Sequence, residues 1–430
     1  MRKSASPRAG MRQGAIRGFD KACSYSQYRR IVLELAMNGI WGVCMSRARL
    51  TIVAGGVNGY ASCSGHNICG VAMATVRCNG CKEVASALDW RCTTCGGSLD
   101  LAGLPAFDPK LIDVNDYSLW RYAAMLPVQR RFGLGEGMTP LAEIELEGGS
   151  VLAKLDYLNP TGSYKDRGTT TLMNHIAGFE VPEVIDNSSG NAGASIAAYA
   201  SLAGIAARIY VPAATAVESK KRLIRLFGGT IVESRQPVAD VYAAAQSVTY
   251  ASHAWSPWFV LGQMTAAWET WQQMGGRAPD AVATPVGHGG LFLGFYRGFR
   301  ALQEAGLIEA MPRMIAVQSS GVDPVVQGWE QGLESPPAVS ARTSVADGIL
   351  VDAPVRGTQI LSALYQTDGF ALRVNDESIR SAQRRMIGKG LMIELTSAVV
   401  AAALPQIRRR IGGGASLVLA FTGNGLKTLA

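Results

Sequence analysis

The chain has 430 residues, of which 48% are hydrophobic and 17% are charged, and it contains 49 glycines. This length allows two or three compact units with a large buried core, and the glycines show no repeat, which excludes a low-complexity chain. The formal net charge of +8 comes from residues 1–72, where ten Lys and Arg residues stand against Asp20 and Glu34. The other residues carry equal numbers of basic and acidic groups, so they offer no basic surface for nucleic acid.

Residues 1–72 form the first predicted segment, a basic N-terminal extension. Its most apolar stretch, residues 31–45, is too short to span a bilayer and contains Glu34, and it begins too late for a secretory signal. We expect either a disordered extension or a start placed too early, with Met73 as the natural first residue. An Arg-rich opening that is poor in acidic residues also occurs in organelle transit peptides, which is the alternative for this segment.

Residues 73–104 contain two Cys-x-x-Cys pairs that are separated by ten residues. Two such turns can place four thiolates in a tetrahedron around zinc, and four protein ligands leave no open coordination position. We therefore expect a structural zinc ribbon with the ligands Cys78, Cys81, Cys92 and Cys95. Chance spacing or two redox pairs are the alternatives. The other four cysteines lie in residues 1–72 and indicate free thiols in a reducing, cytoplasmic location.

From about residue 150 onward, short β-rich segments alternate with helical segments. Such alternation predicts an α/β fold in which a mainly parallel sheet is covered by helices. The predicted strands are residues 184–185, 207–211, 230–233, 280–285, 314–318 and 416–421. The predicted helices are residues 194–202, 219–227, 238–248 and 291–303. Ligands of such sheets bind at the carboxyl ends of the strands, where the glycine-rich loops of this sequence also fall.

Three loops of this body have residue types that favour binding of an anion or a cofactor. The first, residues 159–168, places Lys165 at the start of a predicted helix, where the helix macrodipole disfavours a cation. Imine formation would remove that charge, whereas an ordinary surface lysine is the alternative. The second and third, residues 187–195 and 285–291, are strand-to-helix turns whose backbone amides suit a carboxylate or a phosphate. Their order and spacing together favour a cofactor site more than any one loop does.

Taken together, these stretches resemble the fold-type II family of pyridoxal-phosphate (PLP) enzymes, and the threonine synthases in particular. The similarity runs from Cys78 to the C-terminus. It also includes residues 118–122, 134–141, 393–398 and 422–427. The resemblance implies a catalytic α/β body, residues 105–430, that has two lobes of mainly parallel sheet with flanking helices and is preceded by the small zinc ribbon.

The resemblance also implies a role for individual residues. Lys165 would carry PLP as a Schiff base and act as the catalytic base and acid. Thr422 would lie beside the pyridine nitrogen of the cofactor, and Asn191 would face its phenolic oxygen. The substrate carboxylate would be bound by Ser188, Ser189, Gly190 and Asn191. The cofactor phosphate would be bound by Gly287, His288, Gly289 and Gly290.

The implied reaction converts O-phospho-L-homoserine and water to L-threonine and phosphate, but one stretch departs from the family pattern. Threonine synthases usually have an arginine and a lysine that help to hold the substrate phosphate in the stretch that corresponds to residues 256–265. Phe259 and Met264 replace them here, and each lost charge-assisted hydrogen bond is worth about 1.5–3 kcal/mol. Unless one of three other cations compensates, a substrate that is not a phosphate ester is the alternative. These cations are Arg167, Lys220 and Arg222.

Two alternatives to a threonine-synthase-like lyase are open. A related PLP-dependent serine/threonine dehydratase or β-replacement synthase would act on a non-phosphorylated amino acid, and the altered residues Phe259 and Met264 favour it. A non-catalytic zinc-ribbon binding protein would have no need for Lys165, Asn191 and Thr422. We expect a small-molecule amino-acid substrate and neither a nucleic-acid nor a membrane partner. A homodimer is compatible with the sequence, which does not determine the oligomeric state.

Overall fold

The structure is a computed structural model that describes residues 43–46, 49–52, 74–146, 148–213, 218–340 and 343–428. The chain divides into two compact units, residues 1–66 and 67–430. In the first unit, the described backbone is an antiparallel hairpin of β1 (Val43–Ser46) and β2 (Arg49–Ile52). The other residues of 1–72 lie outside the described residues, so the expectation of a disordered extension or an early start stays a prediction.

The second unit contains strands and helices that alternate along the body, as the sequence predicts. Its described strands are β3 (Thr75–Cys78), β4 (Leu99–Ala102), β5 (Leu141–Leu146), β6 (Gly149–Lys154), β7 (Glu183–Asp186), β8 (Ala206–Pro212), β9 (Thr230–Ser234), β10 (Thr249–Tyr250), β11 (Ala281–Pro285), β12 (Arg313–Ser319), β13 (Phe370–Val374) and β14 (Leu417–Ala420). Its described α-helices are α1 (Lys165–Ile176), α2 (Asn191–Ala203), α3 (Glu218–Leu226), α4 (Pro237–Ala244), α5 (Pro257–Gln273), α6 (Gly290–Glu304), α7 (Pro324–Glu330), α8 (Gly357–Gln366), α9 (Asp376–Gly388) and α10 (Leu395–Ile411).

Two sheets organise these elements into two lobes. The smaller sheet has the strand order β10-β7-β8-β9, and all of its neighbouring strands are parallel. The larger sheet has the order β13-β12-β11-β14-β6-β5, in which β5 is antiparallel to β6 and the other pairs are parallel. This arrangement confirms the predicted α/β class, with one mixed sheet and one parallel sheet. The antiparallel pair of β3 and β4 forms a separate ribbon that carries Cys78.

The central strands of the larger sheet are buried on both faces. In β11, Val282 packs into the hydrophobic core on one face, whereas Ala281 and Ala283 pack into the core on the other. In β12, Met314 and Ile315 are divided between the faces in the same way. Helices therefore cover both faces of the sheet, and this explains why these strands are continuous apolar segments without a polar alternation.

One predicted helix is shorter than expected. Residues 238–248 are predicted as helical, but α4 ends at Ala244 and the strand β10 follows at Thr249 and Tyr250. The β-branched and aromatic residues here pair in parallel with β7, and Tyr250 becomes 5% exposed. Burial in the sheet thus outweighs the local helical tendency of this segment.

Helices α1 and α5 pack closely because each presents a glycine to the other. A Cβ atom at Gly262 would lie 2.0 Å from the carbonyl oxygen of Arg167, and one at Gly168 would lie 2.6 Å from the ring of Phe259. Any larger residue at these positions would force the helices apart. The contact therefore holds Phe259 against the first turn of α1, which begins with Lys165. Among the described helices, none is long and apolar enough to cross a membrane.

Candidate active site

A cavity of about 600 Å³ lies at the carboxyl ends of strands from both sheets. The loops that follow β7, β10, β11 and β14 all contribute to its wall. The structure brings together every residue that was expected to bind the cofactor or the substrate. The residues that line the cavity include Lys165, Ser188, Ser189, Gly190, Asn191, Gly287, His288, Gly289, Gly290 and Thr422.

Lys165 is the first residue of α1, as its sequence context predicts. Its Nζ atom lies 4.8 Å from the ring centroid of Tyr164 and 5.7 Å from that of Phe259. Within the described residues, no carboxylate forms an ion pair with it. The amine therefore lies at the N-terminal end of a helix beside two aromatic rings, and no described carboxylate neutralises it. Its position at the cavity makes it the candidate for attack on a carbonyl carbon.

Asp166 joins the lysine loop to α2. Its carboxylate accepts hydrogen bonds from the backbone N–H of Thr161 at 2.7 Å and from the Oγ atom of Ser195 at 2.6 Å. Burial raises the pKa of Asp166 to about 6, although these hydrogen bonds oppose the rise. The residue after Lys165 is thus fastened to the helix that begins with Asn191, and this sets the distance between two walls of the cavity.

The second loop leads directly into α2, whose first residue is Asn191. The Nδ2 atom of Asn191 donates to the Oε1 atom of Glu394 at 2.9 Å, and its Oδ1 atom accepts from Nζ of Lys427 at 2.6 Å. Glu394 precedes α10, and Lys427 follows β14. Asn191 therefore connects the smaller sheet to elements of the larger one across the cavity.

The glycine loop precedes α6, which begins at Gly290. Gly289 has a φ of +83°, and a Cβ atom there would lie 2.4 Å from the Cδ1 atom of Ile360. Only glycine allows this conformation at this contact. The first N–H groups of a helix have no intrahelical acceptor, and the helix dipole favours an anion beside them. The loop therefore has the geometry of a phosphate cradle.

Thr422 follows β14 and is held by a serine of α10. Its Oγ1 atom lies 3.1 Å from the Oγ atom of Ser397, which also accepts from the backbone N–H of Thr422 at 2.9 Å and of Gly423 at 2.7 Å. A neutral hydroxyl in this position can donate a hydrogen bond to an unprotonated ring nitrogen or accept one from a protonated ring nitrogen. The cradle, the lysine and this hydroxyl form a donor set that fits PLP, and the cavity has the volume for it together with a small substrate.

Three further residues at the cavity were not predicted as site residues. His253 lines the cavity in the loop between β10 and α5, and Asp186 lies behind it at the end of β7. Glu394 also lines the cavity and was noted only as part of a family motif. No spacing signal in the sequence connects Asp186 with His253, since the two residues come together only because β7 and β10 are neighbours in the sheet.

The two replaced cations of the family pattern have different positions. Phe259 lines the cavity, whereas Met264 is not among the lining residues and is 5% exposed in the core next to α6. Arg222 is exposed on α3 and does not line the cavity, and the side chain of Lys220 lies outside the described residues. In the described part of the chain, no arginine lines the cavity.

The expectation that Arg167 could compensate for the missing cations is wrong. Its guanidinium group is fully buried behind α1, where it pairs with Asp156 at 2.8 Å and with Glu269 at 2.6 Å. Lys154 pairs with the same Glu269 at 3.0 Å. Burial alone would raise the pKa of Glu269, but the charges of Arg167 and Lys154 outweigh it and lower that pKa to about 2. Arg167 is therefore committed to an internal ion network and is not directed at a ligand.

The four cysteines of the ribbon lie close together, away from the cavity. The Sγ atoms of all four are within 4.8 Å of one another. The Sγ atoms of Cys78 and Cys95 are 3.4 Å apart, and those of Cys81 and Cys92 are 3.5 Å apart. A zinc ion with Zn–S bonds of about 2.3 Å separates its sulfur ligands by about 3.8 Å, so the cluster fits a closed tetrathiolate site.

The family model described as "Pyridoxal-phosphate dependent enzyme" matches residues 133–423. The threonine synthase of Methanosarcina acetivorans is 29% identical over 355 residues, which cover 79% of this chain and 88% of that protein. The threonine synthase of Mycobacterium tuberculosis is 32% identical over 305 residues, which cover 68% of this chain and 82% of that protein.

Solved structures with a similar fold include enzymes that are not named threonine synthase. A threonine deaminase from the organism abbreviated T.th. is 26% identical, covers 66% of this chain and 92% of its own, and has a TM-score of 0.57. Maize serine racemase is 21% identical, covers 67% of this chain and 90% of its own, and has a TM-score of 0.58. The second likeness shows the shared fold alone.

Proposed function

The chain belongs to the family of pyridoxal-phosphate dependent enzymes, and we propose that it is a threonine-synthase-like lyase in which Lys165 binds the cofactor. The observation that carries this proposal is the cavity in which Lys165, the carboxylate loop, the phosphate cradle and Thr422 meet. The curated relatives named threonine synthase support O-phospho-L-homoserine and water as substrates, with L-threonine and phosphate as products.

PLP, when bound, supplies an electron sink for the negative charge that develops at the substrate Cα atom. Lys165 takes the proton from Cα and returns protons at Cα and Cβ, since it lines the cavity beside the loop that binds the substrate carboxylate. The N–H and hydroxyl groups of residues 188–191 bind the substrate carboxylate and orient the Cα–H bond. The glycine cradle would hold the cofactor phosphate, and Thr422 would be a neutral hydrogen-bond partner for the ring nitrogen.

A second candidate has a specific observation in its favour. Phe259 occupies the cavity wall where the family pattern has a cation, and no described arginine replaces it. A serine/threonine dehydratase or a β-replacement synthase, which acts on a non-phosphorylated amino acid, would need no cation there. The fold shared with a threonine deaminase is compatible with this reading.

The cysteine ribbon is proposed to hold a structural zinc ion. The support is the closed set of four sulfurs within 4.8 Å of one another. The ribbon lies in residues 73–104, ahead of the part of the chain that the family model matches, so the zinc has no proposed part in the chemistry.

The test is to incubate the purified protein with O-phospho-L-homoserine and to measure phosphate and threonine together. Equal release of both is expected, and Lys165→Ala should abolish it together with the visible absorbance of the lysine-bound cofactor. Unchanged absorbance in Lys165→Ala would disprove the lysine assignment. If the wild-type protein shows the absorbance but releases no phosphate, the second candidate function is favoured. Its activity is assayed as the 2-oxo acid formed from L-threonine or L-serine.

A further inference from the structure

Three titratable side chains, one of them buried and two half-buried, meet at one wall of the cavity. Asp186 ends β7, His253 follows β10, and His288 belongs to the glycine loop. The Nδ1 atom of His253 lies 3.5 Å from the Oδ1 atom of Asp186, and the ring centroids of the two histidines are 5.8 Å apart. Both histidines line the cavity, and Asp186 is 0% exposed behind His253.

This wall contains buried polar atoms that lack hydrogen-bond partners. Within the described residues, both carboxylate oxygens of Asp186 and the Nδ1 atoms of His253 and His288 have no hydrogen-bond partner. Native proteins leave few such groups buried, and those that remain call for a ligand, a water molecule or a catalytic role. The Nδ1 atom of His253 faces Asp186 at 3.5 Å, so the other ring nitrogen, Nε2, is the atom left for a molecule bound in the cavity.

The charged and titratable groups that face His253 determine its protonation. Burial lowers the pKa of His253, the charge of Lys165 lowers it further, and Asp186 opposes both. Burial, with His253 and Lys165, lowers the pKa of His288 to about 3. Tyr250, which packs beside Asp186, donates its hydroxyl to Asn187 at 2.6 Å. At neutral pH both imidazoles are therefore uncharged, and each has one nitrogen able to accept a proton.

His253 lies in the part of the cavity wall that we expect to face the side chain of a bound substrate. A substrate whose carboxylate lies on residues 188–191 and whose Cα faces Lys165 directs its side chain to the rest of the cavity wall. Two polar groups there are already engaged, because Ser344 donates to Asp376 and Thr396 accepts from the backbone N–H of Gly348. His253 lies beside Phe259, with ring centroids 6.2 Å apart, and Phe259 in turn lies beside Lys165.

We propose that His253, oriented by Asp186, is a catalytic residue that takes a proton from the water that adds to the substrate Cβ atom. This inference rests on the proposed lyase function. The water oxygen forms its bond to Cβ with one electron pair, the Cα–Cβ π bond breaks, and its electron pair moves to Cα, where Lys165 returns a proton. The O–H bond of the water breaks at the same time, and Nε2 of His253 receives that proton. The Nδ1–H group of the resulting imidazolium faces the carboxylate of Asp186, which is a positioning residue that selects the tautomer and stabilises the charge. In a dehydratase the reverse step requires the imidazolium form of His253, which gives its proton to the departing hydroxyl.

The experiment separates water addition from release of the leaving group. His253→Gln and Asp186→Asn are incubated with O-phospho-L-homoserine, and phosphate, threonine and 2-oxobutyrate are measured. In a single turnover, phosphate release should stay within about threefold of wild type, because it precedes the step in which His253 acts. The ratio of threonine to phosphate should fall at least about tenfold in His253→Gln, the size expected for loss of a general base, and 2-oxobutyrate with ammonia should account for the difference.

A matched control is His175→Gln. His175 is another histidine with a lowered pKa, about 4 through burial, but its ring stacks on Trp258 outside the cavity wall. This variant should keep the wild-type product ratio even if it is less stable, since the ratio does not depend on the amount of folded protein. A similar fall in His175→Gln would overturn the proposal.

The pH profile tests the two residues separately. The wild-type product ratio should fall as pH drops through the pKa of His253, and His253→Gln should lose this acid limb. Asp186→Asn should move the limb to lower pH and reduce kcat with little change in KM, because Asp186 raises the pKa of His253. A His253→Gln variant with an unchanged ratio, or one that loses the cofactor absorbance, would overturn the proposal.

Failure of the proposed function is distinguishable from failure of this inference. A wild-type protein that releases no phosphate rejects the threonine-synthase reaction alone, and the same variants are then assayed for 2-oxobutyrate formation from L-threonine. His253→Gln should lower kcat at least about tenfold in that assay, as expected for loss of a general acid. An undiminished kcat would overturn the role of His253 in either reaction.

Discussion

Two groups of charged and polar side chains, one fully buried around Arg167 and one at the cavity wall around His253, differ in how many of their polar atoms have hydrogen-bond partners. The ion network of Lys154, Asp156, Arg167 and Glu269 is closed, because the Arg167 guanidinium group donates to Asp156, Glu269, Thr139 and Thr265. The histidine wall of Asp186, His253 and His288 is open, because several of its polar atoms have no partner. A closed network supports the fold, whereas an open one is available to a ligand.

The largest expected effect on stability comes from opening the closed network. Arg167→Met leaves the carboxylates of Asp156 and Glu269 buried without their cation, and this should lower the free energy of unfolding by about 3–5 kcal/mol. Denaturant unfolding measures the change. Arg222→Met, which removes an exposed arginine on α3, is the control and should stay within about 0.5 kcal/mol of wild type. A loss below about 1 kcal/mol for Arg167→Met would contradict the structural role of the network.

The next largest effect, on substrate selectivity, is expected at Phe259, which lies beside both Lys165 and His253. Phe259→Arg should raise kcat/KM for O-phospho-L-homoserine relative to L-threonine by about 10- to 150-fold, since one charge-assisted hydrogen bond is worth about 1.5–3 kcal/mol. Met264→Lys restores the other cation of the family pattern but lies outside the cavity wall, so it should leave this ratio unchanged. An unchanged ratio in Phe259→Arg would mean that the substrate phosphate does not approach this wall.

The two groups should also differ in the pH range over which they affect stability. The pKa of His288 is about 3 when folded and about 6.5 when unfolded. The unfolded chain therefore binds a proton first, and stability falls as pH drops below about 6.5. In cofactor-free protein, the free energy of unfolding should fall by about 1.4 kcal/mol more between pH 7.5 and 5.5 in wild type than in His288→Gln. The pKa of Glu269, about 2 when folded, makes the closed network insensitive in this window. Equal slopes in the two proteins would contradict the lowered pKa.

The smallest effect on turnover is expected at the cysteine ribbon. Its sulfurs, like the histidine wall, are proposed to be completed by a bound species, but they lie away from the cavity. Cys92→Ser should reduce bound zinc and thermal stability while turnover per folded molecule stays within about twofold, because a closed site holds no substrate. The neighbouring Thr93→Ser is the control for both quantities. A fall in turnover with zinc and folding intact would show that the metal has a chemical role.

The features that the sequence predicts best depend on local patterns. Glycines at strand-to-helix turns, the lysine at the start of α1 and the spacing of the cysteines all follow from short segments, and the structure brings the predicted cavity residues together. The parallel strands of the body were predicted for the same reason, from short β-rich segments between helical ones.

The features that the sequence does not predict depend on which face of a helix, or which neighbouring strand, a residue occupies. Residues two positions apart on a helix are separated by about 200° around its axis, so Lys165 faces the cavity and Arg167 faces the opposite side. Phe259 and Met264, five positions apart, likewise lie on different faces of α5. Asp186 and His253 meet only through the pairing of β7 with β10, and this neighbour relation is absent from the local pattern of either segment.

The hydrogen bonds of Asn191 also determine how the cavity can be filled. Its side-chain amide already bonds to Glu394 and to Lys427, which belong to elements of the other lobe. A substrate carboxylate that recruits this amide exchanges one set of bonds for another, so its net gain in affinity is small although its contact is specific. The same exchange loosens a tie between the lobes. Binding of the substrate carboxylate and the connection between the two lobes therefore depend on the same side-chain amide of Asn191.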